Sequence, residues 1–286
     1  MYDVLRFSIL KFNNNMSRYK ITILSVILFL PLYTAYAANK NIDTLGIIFE
    51  CDTILHKAEV HKLYSKSSHI SVPQFVRDEK GESYEVISLG YGAFRDSSIN
   101  RLTITLPHSI SRIGSGAFHD YKNLQFLSIR DSVTYISDRA FMNCFALEQL
   151  NIKSVSIVGK YAFAGCKLLK DLSFLNSVKE IEDYAFYGCA SIESLYMPDC
   201  LYEIGRYAFV NCINLKSIRF SKSIHIIWNN SFKNCSGLYE LYFPENIKRI
   251  CSSAFVGCSN LKVVKVSKNT VIESGAFPEN TIIEYY

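Results

Sequence analysis

The chain has 286 residues, 49% hydrophobic and 20% charged, enough apolar material for a substantial core and too little charge for a disordered chain. The formal net charge is +5, and three of those charges sit in residues 1–37, where Arg6, Lys11, Arg18 and Lys20 stand against Asp3 alone. The remainder is near neutral and holds no run of five basic residues, so it lacks the concentrated positive face that a nucleic-acid partner requires.

Arg18 and Lys20 precede the apolar run Ile21–Leu30, and Pro31 and the small-x-small triplet Ala35-Tyr36-Ala37 follow it. This order predicts a secretory signal peptide over residues 1–37, cleaved after Ala37, with Met16 as a candidate start. The apolar run is short for a permanent bilayer span; a retained N-terminal anchor is the alternative. No Cys lies near the cleavage site, which argues against a lipid anchor, and no second long apolar run follows Ala38. The mature body is therefore expected to be soluble and exported.

Residues 38–86 read as a β-rich cap. Ile47–Phe49, Ala58–Val60 and His69–Val72 have strand character, and Asp78-Glu79-Lys80-Gly81 is a turn between Gln74–Val76 and Tyr84–Ile87, which predicts a hairpin. A solenoid needs such a cap, because its first coil otherwise exposes an apolar face. His56, His61 and His69 lie here near Asp52 and Glu59, but their spacing matches no compact zinc pattern, and they read as scattered surface histidines.

From residue 87 to the end the chain repeats. A Phe recurs at 94, 118, 141, 163, 186, 209, 232, 255 and 277, at steps of 22 to 24 residues. Ala precedes each of them except at Ser231, and an apolar residue stands five positions before, from Leu89 to Ile272. Cys144, Cys166, Cys189, Cys212, Cys235 and Cys258 stand three positions after, and Leu or Ile recurs six and nine positions after. A fixed period in this range marks a solenoid of about eight or nine coils. Within a coil, Leu195-Tyr196-Met197 and Leu241-Tyr242-Phe243 alternate apolar and outward residues, so each coil contributes a short strand paired in parallel with its neighbours. The apolar column before the Phe predicts a second short strand on the opposite wall, and Ala-Phe-x-x-Cys crosses between the walls as one helical turn.

The unit Leu238-Tyr-Glu-Leu-Tyr-Phe-Pro-Glu-Asn-Ile-Lys-Arg-Ile-Cys-Ser-Ser-Ala-Phe-Val-Gly-Cys258 resembles the repeat of the BspA-like class of bacterial leucine-rich repeat proteins, over residues 87–277. The resemblance implies a right-handed leucine-rich-repeat coil behind an N-terminal hairpin cap. It also implies a secreted or cell-surface protein, adhesin-like in several members, and it carries over no catalytic residues.

The six column cysteines read as buried thiols packing as small hydrophobes, with disulfides as the alternative, because stacked neighbours would point their side chains in parallel rather than towards each other. Lying along a line rather than around a point, they make no metal site. Cys51, Cys200 and Cys251 stand off the column and are left unpaired. On the strand wall expected to be concave, the outward positions predict a ladder of Thr105, Ser128, Asn151, Ser173, Tyr196, Arg219, Tyr242 and Lys265. Tyr196, Arg219, Tyr242 and Lys265 are the candidate binding residues, since Tyr and Arg dominate interface hot spots; Tyr on an exposed strand is also simply a good strand former. Trp228, the single tryptophan, replaces a small residue on the opposite wall, either as an exposed contact or as a filler. Asn229-Asn-Ser231 and Asn234-Cys-Ser236 match the glycosylation acceptor pattern.

His108, His119 and His225 fall in different columns, and no catalytic constellation, metal set or cofactor motif emerges. The expected function is non-catalytic binding of an extracellular protein or glycan, on host matrix or neighbouring cells. The alternative is a structural envelope or matrix component. Ile282–Tyr286 is expected to form a last strand closing the stack.

Overall fold

The computed structural model describes residues 39–95 and 97–286. The signal-peptide reading of residues 1–37, and with it the choice of start, lies outside the described residues.

Six strands open the fold: β1 (Asn39–Thr44), β2 (Ile47–Asp52), β3 (Lys57–Leu63), β4 (His69–Ser71), β5 (Phe75–Arg77) and β6 (Ser83–Leu89). Five of them form a sheet in the order β1-β2-β3-β6-β5. The expected hairpin is β5–β6, antiparallel with Val76 opposite Tyr84. Its turn forms because the Asp78 carboxylate accepts the backbone N–H groups of Lys80 and Glu82, while Gly81 takes a φ of 83° that favours glycine. β4 leaves this sheet and pairs in parallel with Arg101–Thr105, the first long strand of the repeats. β6 runs into Leu89, which begins the apolar column of the coils. The buried residues from Ile42 to Ala276 consequently form one continuous core.

Each coil of the solenoid has three walls. The long-strand wall, the one expected to be concave, is built from Arg101–Thr105, Phe126–Ser132, Gln149–Lys153, Ser194–Tyr196, Ser217–Arg219, Glu240–Tyr242, Val263–Val266 and Ile282–Tyr285. The short-strand wall is built from two-residue strands such as Glu180–Ile181 and Glu203–Ile204, also paired in parallel. The third wall is the Ala-Phe-x-x-Cys crossing. Burial alternates as expected: Leu195 and Leu241 face the core between exposed neighbours.

The crossing is tighter than one helical turn. Ala185 N–H donates to Glu182, Tyr187 to Tyr184 and Cys189 to Phe186, a run of three-residue steps. Residues two before and two after the Phe take a positive φ, as at Tyr184 (61°), Gly188 (73°), Asn211 (60°) and Asn234 (60°). The Gly, Asn and Asp that recur two places after the Phe follow from this, since these residues enter the left-handed region most readily. The Phe N–H, freed from any helical ladder, donates to the Ala or Ser carbonyl of the next coil at 2.7–3.2 Å in all eight steps from Phe94 to Phe255.

The nine rings themselves form one stack. Consecutive centroids lie 4.4–5.3 Å apart with planes within 16°. Each such aromatic pair contributes about 0.5–1.5 kcal/mol beyond simple burial. The column cysteines are buried and free, and each does more than fill space: its thiol donates to the Phe carbonyl of the preceding coil, Cys144 to Phe118 at 3.0 Å and Cys189 to Phe163 at 3.1 Å. That carbonyl also accepts the backbone N–H three residues on in its own coil, as Phe163 does from Cys166 at 3.0 Å, so the thiol fills its second acceptor position.

Two ladder assignments change. The register sets Thr103, not Thr105, beside Ser128, because the first strand begins one residue sooner after its Phe and the extra length of that repeat falls after the strand. Ser173 is not a strand residue: Ser173–Ser177 forms a 3-10 helix. Phe174 and Leu175 are adjacent and both buried. A strand points neighbours to opposite faces, so only a turn delivers both to the core. The Asp171 carboxylate starts that turn by accepting the Ser173 N–H at 2.9 Å.

Candidate binding face

The 3-10 helix divides the long-strand wall. Four strands, β4 among them, pair before it; Ser194–Tyr196 pairs with Ser217–Arg219 after it; then Glu240–Tyr242, Val263–Val266 and Ile282–Tyr285 form a separate three-stranded sheet. The four predicted ladder residues all fall after the helix, and the second interruption separates them into two pairs.

In the first pair, Tyr196 lies directly beside Arg219 in register. The Arg219 guanidinium covers the Tyr196 ring at 4.4 Å from its centroid, a cation–π contact on an exposed surface. Tyr196 nevertheless keeps 59% of its surface exposed. In the second pair, Tyr242 lies beside Lys265. The Lys265 ammonium pairs diagonally with Glu240 at 2.7 Å, and this hydrogen bond raises the Lys265 pKa. Tyr242 is 58% exposed, and its ring stacks on Tyr286 at 5.5 Å. Tyr286 reaches back across the Val263–Val266 strand and donates its hydroxyl to the Phe243 carbonyl; burial pushes its pKa up to about 12.

Lys216 binds Glu193 at 2.8 Å, which lowers the Glu193 pKa. Arg219 alone of the ladder cations has no carboxylate within ion-pair distance among the described residues.

Trp228 lies off this face, half-buried on the short-strand wall, with the Arg206 guanidinium 5.6 Å from its ring. Gly205 holds the equivalent position one coil earlier, and a Cβ there would meet the Asp183 backbone nitrogen at 2.4 Å. The short-strand pairing lapses between Glu203–Ile204 and Ile226–Ile227, just before Trp228. The amides of both acceptor-pattern asparagines hold the coils together: Asn229 donates to Ser252 and Asn234 to Asn211.

A second aromatic row escaped the column reading. Tyr161, Tyr184 and Tyr207, two places before the Phe in successive coils, stack at 4.6 and 4.7 Å along the turn wall. Arg139 caps the row 5.9 Å from the Tyr161 ring. The signal was three tyrosines in one column. Among the described residues, no group of three or more His, Cys, Asp or Glu is placed to hold a metal ion, and no helix is long and apolar enough to cross a membrane.

A family model described as a BspA type leucine rich repeat region, in six copies, matches residues 87–199 and 156–284. Among solved structures, a leucine-rich repeat protein from Bacteroides ovatus is similar at 24% identity and a TM-score of 0.58, over 81% of this chain and 66% of that one. A leucine rich cell surface protein from Faecalibacterium prausnitzii matches at 21% identity and a TM-score of 0.40, over 86% and 94% of the two chains. The T. pallidum leucine rich repeat protein matches at 17% identity and a TM-score of 0.39, over 84% and 92%. Comparison with curated proteins finds no match.

Proposed function

Because the chain belongs to the BspA type leucine-rich repeat family, we propose that it is an exported, non-catalytic binding protein of adhesin-like type, whose long-strand wall holds an extracellular partner. The observation that carries this reading is the pair of exposed tyrosines, Tyr196 and Tyr242, set with Arg219 and Lys265 on one face of a rigid stack. Tyr and Arg supply large contact area with few rotatable bonds, the combination that concentrates binding energy at interface hot spots. Rigid strands hold these groups in place before the partner arrives, which lowers the ordering cost of association. The N-terminal pattern up to Ala37 supports export, to the medium or to the cell surface.

The test is a variant with Tyr196, Arg219 and Tyr242 all changed to Ala. It should keep the native far-UV spectrum and lose most attachment to immobilised extracellular matrix proteins or to neighbouring cells. Undiminished attachment would remove the long-strand wall from consideration and favour a structural envelope role.

A further inference from the structure

We infer that Arg219 is the anchor for a carboxylate, and that the partner presents an acidic protein segment to the face between Tyr196 and Tyr242. This rests on the binding reading above and names the chemistry of the same face.

The argument begins with charge. Lys216 and Lys265 are each paired with a carboxylate at 2.8 and 2.7 Å, so neither is a free cation. Among the described residues Arg219 makes no such pair, and its guanidinium rests on the Tyr196 ring. A guanidinium is planar and carries a fixed fork of donors that matches a carboxylate with two parallel hydrogen bonds. Stacking on Tyr196 holds that plane in position, so little rotamer freedom remains to be lost on binding.

The strand pairing changes beside it. The Ser217–Arg219 and Glu240–Tyr242 strands belong to separate sheets, so the ladder lapses on the side of Arg219 away from Tyr196. Tyr242 stands on the adjoining strand, stacked by Tyr286 from the C-terminal side. An incoming side chain therefore meets a guanidinium from one coil and a phenol from the next.

The same contacts favour a peptide over a sugar. A glycan gains most from an open aromatic face, and here Arg219 covers one face of Tyr196 while Tyr286 covers one of Tyr242. With one face of each ring already taken, the edges and hydroxyls remain to meet backbone and carboxylate groups.

The experiment is fluorescence anisotropy of the purified protein with a labelled oligoglutamate peptide, beside a sulfated heparin fragment and an oligoglutamine control. Native protein should bind oligoglutamate, weakening with salt as screening dictates. Arg219→Ala should weaken binding about tenfold or more, the effect of losing hydrogen bonds to a charged group. Arg219→Lys should also weaken it, because the fork is gone although the charge remains. Glu240→Gln should strengthen it by releasing Lys265. No binding of oligoglutamate by the native protein, no loss in Arg219→Ala, or an Arg219-dependent preference for the heparin fragment would each overturn the assignment. If the triple variant loses attachment while Arg219→Ala leaves oligoglutamate binding unchanged, the binding face stands and only this inference falls.

Discussion

The turn wall and the long-strand wall of the same coils behave differently. On the turn wall, eight consecutive Phe N–H bonds and nine stacked rings run from Phe94 to Phe277 without interruption. On the long-strand wall, the hydrogen-bonded ladder breaks into three sheets, once for a 3-10 helix and once beside Arg219. The repeated residues hold the uninterrupted wall, and the varied ones lie on the interrupted wall. A stack secured along one side tolerates gaps along another, so the side free to vary is the side free to acquire a partner.

The largest test of that division is alkaline. Burial pushes the thiols of Cys166, Cys189, Cys212 and Cys235 above their ordinary value of 9.0. An acid raised in the folded state keeps its full contribution below 9.0 and loses it as pH climbs from there, because the unfolded thiol ionises first. Each thiol then removes about 1.4 kcal/mol of stability per pH unit. Urea midpoints should hold up to that value and fall steeply above it, and a Cys189→Ala, Cys212→Ala double variant should show a shallower slope. Next, Phe186→Ala should lose about 3–5 kcal/mol in urea unfolding, through the cavity left in the ring stack. Gly205→Ala, which forces a Cβ onto the Asp183 backbone, should cost about 1–3 kcal/mol as an overpacked contact. Smallest of all, the Tyr196, Arg219 and Tyr242 triple alanine variant should shift stability by only about 0.5 kcal/mol per site, as exposed positions do. A large loss there would erase the distinction between the walls.

The core was legible because each coil reports it again. Phe186, Cys189, Ile192 and Leu195 each stand in a column, and one misreading would have conflicted with its copies. The turn geometry was less so: Gly188 and Asn211 share a column without sharing a side-chain class, and what they share is tolerance of a positive φ. Cys189 was read as a small hydrophobe because sequence does not show which carbonyl lies within reach of its sulfur. The column rule places Ser173 in a strand against the sense of its neighbours, since adjacent Phe174 and Leu175 cannot both face inward in a strand. The face itself was legible only as a list of outward residues. That Arg219 rests on Tyr196, and Lys265 on Glu240, depends on distances between coils that no single coil encodes.

The turn wall has a further consequence for how such a chain can change over generations. From Phe118 to Phe232 each Phe gives its N–H to the next coil and accepts a thiol hydrogen bond from it at the same place, so these coils are suitable neighbours for one another. A duplication or deletion of one 23-residue step leaves every bond on that wall with a partner. The gene can therefore lengthen or shorten the outward face by whole rungs, moving Tyr and Arg positions relative to one another, with no compensating change in the core.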